Sequence, residues 1–94
     1  MKLLKVIHAP HGSGKKLVAI FDNDGRQKKI PFGAYNSETF SEGASNEKRL
    51  AYIARHKVNE DWSTINAGSL SRYVLWEKPS ISAGVAFFKK KYNV

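Results

Sequence analysis

Lys16-Leu17-Val18-Ala19-Ile20-Phe21-Asp22-Asn23-Asp24-Gly25-Arg26-Gln27-Lys28-Lys29-Ile30-Pro31-Phe32 decides the front half of the fold. Leu17, Ala19 and Phe21 alternate with Val18 and Ile20, so a strand here carries apolar side chains on both faces, as a central strand does. Asp22 to Gly25 follows with residues that tolerate the positive φ of a tight reverse turn, and Arg26 to Phe32 is the return strand. Pro31 has no amide hydrogen to give to a ladder, which puts the return strand at a sheet edge. Working outward, Lys2 to His8 reads as a first strand, ended by the turn formers of Ala9-Pro10-His11-Gly12-Ser13-Gly14. Ala34 to Ser45, rich in Ser, Glu, Gly and Asn, reads as a surface connection of low hydrophobicity.

From Asn46 onward the period changes from two to that of a helix. Asn46 is a candidate N-cap, and Leu50, Ile53, Ala54 and Val58 form an apolar stripe expected to face the core. Arg49, Tyr52 and His56 share another face at i, i+3 and i+7, with Lys48 and Arg55 one heptad apart beside them. That face suits a phosphate backbone with an aromatic contact, Arg49 and Arg55 being the stronger candidates. An Arg-His pair at a helix C-terminus is also favoured by the macrodipole without any ligand. Glu60-Asp61-Trp62 reads as structural. Adjacent carboxylates lack the opposed placement of a general acid and base. Instead, Asp61 or Ser63 would cap the next turn, Glu60 would pair with Arg55, and Trp62 would wedge between helices, largely buried. Ala67-Gly68 opens a second helix with room for close backbone approach. Leu70, Tyr73, Val74 and Trp76 form its apolar side, with Arg72 opposite. Pro79 ends it and Ser80 caps a third helix, whose stripe is Ile81, Val85, Phe88 and Tyr92. Lys89, Lys90 and Lys91 complement the negative end of that helix, and equally offer three charges beside Tyr92 to a polyanion.

Ninety-four residues with 41% hydrophobic content suit one domain spanning residues 1–94, strand-rich over 1–33 and helical over 46–94. The expected fold class is α+β, a small antiparallel N-terminal sheet packed against a C-terminal three-helix unit. No apolar run approaches membrane-spanning length, and Met1-Lys2-Leu3-Leu4-Lys5 lacks the features of a signal peptide, so no membrane contact and no secretion are expected. Zero cysteines exclude a disulfide framework and a thiolate zinc site.

Sixteen Lys and Arg against eight Asp and Glu leave a net charge of +8 and a pI near 9.9, the footprint of a polyanion binder. Residues 1–45 carry seven cations and four anions and residues 46–94 nine and four, so no basic tail stands apart. The plainer reading is that lysines serve solubility. Catalytic motifs fail on inspection. Gly12-Ser13-Gly14-Lys15-Lys16 superficially resembles a phosphate loop but has Ala9 where a glycine is needed and Lys16 where Ser or Thr is needed. Asp22-Asn23-Asp24-Gly25 has its glycine too early for a calcium loop. His8, His11 and His56 are too scattered for a metal site, and no nucleophile elbow accompanies a Ser-His-Asp order.

Tyr52-Ile53-Ala54-Arg55-His56, Asn59-Glu60-Asp61-Trp62, Ala67-Gly68, Ser71-Arg72, Leu75-Trp76, Lys78-Pro79-Ser80 and the basic aromatic stretch Lys89 to Val94 occur in an order that resembles a family of small proteins of unknown function encoded by large double-stranded DNA viruses of algae and amoebae. The resemblance runs from about Phe32 to the C-terminus and implies a viral protein without naming an activity. Together with the charge, it sets the expectation of a non-enzymatic, virion-associated nucleic-acid-binding protein, found in the virion or the infected cell. No catalytic residue, metal or cofactor is expected. The partner would be double-stranded DNA, met with little sequence preference through Arg49, Tyr52, Arg55, Arg72, Lys89, Lys90 and Lys91. The alternative is a minor capsid or cement protein whose charge meets an acidic virion protein; a small nuclease is the weakest reading.

Overall fold

The computed structural model describes residues Met1–Val94. Strands β1 (Lys2–His8), β2 (Lys15–Asn23) and β3 (Arg26–Ala34) form an antiparallel sheet in the order β1-β2-β3. The β2–β3 connection is a two-residue loop, Asp24-Gly25, with φ of 53° and 85°. Those angles match the turn type whose twist suits paired strands. Asp22 Oδ1 accepts the Gly25 amide hydrogen at 3.0 Å and fixes the turn. Pro31 lies on edge strand β3, opposite Val18. A β-bulge between Leu3 and Lys5 pushes Leu4 out to solvent.

Three helical segments follow: α1 (Asn46–Lys57), α2 (Ala67–Leu70, continuing as a π-helical turn over Ser71–Leu75) and α3 (Ile81–Tyr92). The architecture is α+β. The core joins the inner face of the sheet, through Leu3, Leu17, Ala19, Phe21 and Phe32, to Leu70, Val74, Leu75, Trp76 and Phe88 from the helices. Phe21, Phe32 and Phe88 are completely buried, each worth about 1.5–3 kcal/mol over an exposed ring. Val18 and Ile20 point to the other face, where cross-strand neighbours Ile7 and Pro31, and Lys5 and Lys29, flank them. Carboxyl-terminal Val94 is tied to the sheet by a hydrogen bond from the Leu3 amide to its carbonyl. No helix is long and apolar enough to cross a membrane.

The connection over 34–45 is more than surface chain. It contains a 3₁₀ turn, Phe40–Glu42, and supplies buried Thr39 and Ala44. Glu42 accepts from the Thr39 hydroxyl at 2.7 Å and from the Thr39 amide, and pairs with Lys16 at 3.0 Å. Partial burial works to raise the Glu42 pKa, but the hydrogen bonds from Thr39 and Lys16 outweigh it and hold the carboxyl below its usual value.

Helix α1 is turned relative to the sequence expectation. Its cap is Ser45, whose hydroxyl accepts from the Lys48 amide, and Asn46 is the first helical residue. Leu50 and Val58 of the expected core stripe are 54% and 79% exposed, and Ala54 is exposed as well. The inward face is Arg49, Tyr52, Ile53 and His56, with Tyr52 the one buried residue of the helix. The reason is chemical complementarity across the contact. Tyr52 has a parallel indole to stack on and Arg49 has a carboxylate to reach, and neither interaction is visible to a count of aliphatic residues. Trp62 is half-buried rather than enclosed. It stands edge-on to Tyr73, donates its indole hydrogen to Glu60 at 2.9 Å, and its carbonyl accepts from the Tyr92 hydroxyl at 2.6 Å. Asp61 caps the turn that follows it, accepting from the Ser63 amide at 2.9 Å, while Asn66 caps α2, its side chain accepting from the Ser69 amide at 2.9 Å.

Candidate functional site

The inward face of α1 meets the end of α2 through a column of three rings. Trp76 stacks on Tyr52 at 4.4 Å between centroids and 9° between planes, and Tyr52 stacks on His56 at 4.0 Å and 21°. His56 is the outer ring, with 38% of its side chain exposed. Glu60 fixes it: one carboxylate oxygen lies 2.5 Å from His56 Nδ1 while the other accepts from the Trp62 indole. Glu60 therefore pairs with His56, not with Arg55. Gly68 leaves it the space, since a Cβ there would stand 2.9 Å from a Glu60 oxygen. Burial, and after it the Glu60 carboxylate, push the Tyr52 hydroxyl up to about 12.

Beneath the column lies an ionic clasp. One oxygen of Glu77 receives Arg49 at 3.1 Å and Arg72 at 2.8 Å, and Arg49 Nε also donates to the Trp76 carbonyl at 2.8 Å. The Arg72 guanidinium lies over the rings of Trp62 and Tyr73, while its Nε is buried without a partner. Arg49, Tyr52 and Arg72 were expected to form a solvent-facing contact surface. All three are instead committed to the interior between α1 and α2, because each has a partner there that water would otherwise replace. Arg72 accordingly faces inward and not away from the apolar side of its helix.

Arg55, also expected in that contact surface, remains exposed and free of ion pairs, and it opens onto a cleft. This cleft, about 640 Å³, lies between the end of β3, the 34–39 segment, α1 and the start of α2. Along α1 it is lined by Lys48, Ala51, Tyr52 and Arg55, with Glu60 just beyond the helix end, and from β2 and the 34–39 segment by Lys15 and Glu38. Trp76, Tyr52 and His56 all contribute to its wall. Lys89, Lys90 and Lys91 are exposed near the end of α3 and line no part of it; Lys91 Nζ sits 4.9 Å from the Tyr73 ring centre. The expected residues thus divide into a clasp, a cleft edge and a separate lysine cluster, and do not make one face. Lys15 was not among them, and His56 was expected on the α1 face with Arg49 and Tyr52 but not as a contact. The heptad spacing of Lys48 and Arg55, beside the shared face of Tyr52 and His56, was the sequence signal for this cleft, because it places them along the same helical groove.

A family of unknown function (DUF5754) matches residues 6–56, the sheet and α1. That span overlaps the stretch carrying the sequence resemblance only at 32–56. An uncharacterized protein of Acanthamoeba polyphaga mimivirus is 39% identical over 71 residues, covering 67% of this chain and 71% of the viral protein. No solved structure matches the chain. With more than half its length matched and a giant-virus relative at this identity, the chain belongs to the family of unknown function DUF5754.

Proposed function

We propose that this is a non-enzymatic nucleic-acid-binding protein of a large DNA virus, acting in or near the virion. The observation that carries the reading is the free charge: of sixteen Lys and Arg, only Lys16, Arg49 and Arg72 are held in ion pairs. Solvated cations in excess bind a phosphate backbone chiefly by releasing its condensed counterions, with no base-reading motif required. The mimivirus relative supports the viral setting. The test is a salt titration of affinity for duplex DNA, expected to give a log–log slope equivalent to several phosphate contacts and little dependence on sequence. Absence of binding at low salt would remove the reading.

A second reading, a minor capsid or cement protein, is favoured by one feature. Leu50 and Val58 stand exposed on the outward side of α1, and Ile7 is 42% exposed on the sheet. Apolar side chains in such places suit a protein neighbour. A pull-down against purified virion proteins separates the two.

A further inference from the structure

We infer that the cleft beside α1 is a site for a single unpaired nucleotide, its base laid on His56 and its phosphate held by Arg55 and Lys48. The inference rests on the nucleic-acid reading and gives it a location. The cleft, about 640 Å³, falls within the size range of ligand sites. Its aromatic wall is a column already built. Trp76, Tyr52 and His56 lie nearly parallel, and the far side of His56 carries no aromatic partner. A base added there continues the stack, and His is among the rings on which unstacked bases rest. The column is rigid before any ligand arrives, since Glu60 grips the imidazole and is itself held by Trp62. Little ordering cost then remains for the protein to meet on binding.

Charge is arranged to match. Lys48 and Arg55 are two turns apart on α1, about 10 Å along its axis, and neither has an ion-pair partner. Between them Ala51 keeps the helix surface low, so a backbone can run from one cation to the other across it. Lys15, at the start of β2, also lines the cleft. Glu38 also lines the cleft and has no hydrogen-bond partner. It opposes a phosphate placed against it but accepts from a Watson–Crick-edge N–H of an unpaired base, such as thymine N3–H. A duplex cannot use this site, because a paired base does not expose its face.

The test uses the intact protein with a labelled oligothymidine of about ten residues, a blunt duplex of the same length, and thymidine monophosphate. Oligothymidine is expected to bind more tightly than the duplex. Lys48→Ala with Arg55→Ala should weaken oligothymidine binding by about tenfold or more with an unchanged melting temperature, while Lys89→Ala with Lys90→Ala weakens both ligands alike. The His56 ring signals should shift in NMR spectra when oligothymidine is added, and those of His8 and His11 should not. Thymidine monophosphate shifting the same signals with equal affinity identifies a free nucleotide as the ligand; a much weaker effect identifies a strand. Equal loss of duplex and single-strand binding in the Lys48/Arg55 variant, or an unmoved His56, overturns the site and leaves the general reading standing. No nucleic acid bound at low salt overturns both.

Discussion

Gly84 of α3 lies against the backbone of Val74 in the π-helical turn: a Cβ on Gly84 would stand 2.8 Å from the Val74 carbonyl carbon and closer still to its oxygen. The obstacle is backbone, which cannot swing aside as a side-chain tip does, so α3 and the turn must separate to admit even a methyl group. That separation disturbs the burial of Phe88, Val74 and Leu75. Gly84→Ala gains up to about 1 kcal/mol in helix propensity but should lose about 2–3 kcal/mol net through overpacking. The expected fall in melting temperature is roughly 8–24 °C. A variant as stable as the parent would show that the two backbones are not in contact.

Alkaline pH should destabilise the protein through Tyr52. Burial comes first and the Glu60 carboxylate second in raising its hydroxyl to about 12, against the opposing pull of Arg72, Ser71 and Arg55. Because the folded-state pKa lies above the ordinary value near 10, the contribution is intact below about pH 10 and is lost as pH rises through about 12. The loss should approach roughly 3 kcal/mol. Tyr92 adds in the same direction, again through burial. Urea denaturation at several pH values measures the slope, and Tyr52→Phe should flatten it. Equal alkaline sensitivity in that variant would assign the loss elsewhere.

The outward side of α1 should tolerate polarity. Leu50 and Val58 are more than half exposed, so Leu50→Gln with Val58→Gln should change stability by no more than about 0.5 kcal/mol per site. Affinity for DNA should be unchanged, whereas a capsid or cement contact made through this face would be lost. A large drop in stability would instead restore the aliphatic stripe as a core face.

Much of the sheet is legible in the sequence because its determinants are local. The period-two pattern of Leu17 to Phe21, the Asp24-Gly25 turn and Pro31 each act within a few residues of themselves. The cap at Ser45, one position away from the expected Asn46, shows the same locality with an error in register. Helix α1 was not legible, since its orientation depends on partners far along the chain: Tyr52 on Trp76, and Arg49 on Glu77. Gly84 was equally hidden, because a helical glycine reveals its purpose only when the facing backbone is placed. Of the candidate site, the cleft's cations were partly visible in the Lys48–Arg55 spacing. The ring column needed residues from two helices to be brought together.

The clasp at Glu77 gives the sharpest separation between structural and surface arginines. Glu77 holds two guanidinium groups on one oxygen, with side-chain exposures of 18% for Glu77, 18% for Arg49 and 11% for Arg72. Glu77→Ala would leave both cations in a poorly hydrated space without a counter-charge, a change that costs about 3–5 kcal/mol when an ion pair is buried. Arg49→Ala leaves Glu77 paired with Arg72 but forfeits the bond to the Trp76 carbonyl and the contact over Phe40. It should cost about 2 kcal/mol. Arg55→Ala, six residues further along the same helix and free of ion pairs, should cost no more than about 0.5 kcal/mol. Urea unfolding of the three variants tests the order Glu77, Arg49, Arg55. Equal stability of the Arg49 and Arg55 variants would return Arg49 to the surface and dissolve the distinction between the clasp and the cleft edge.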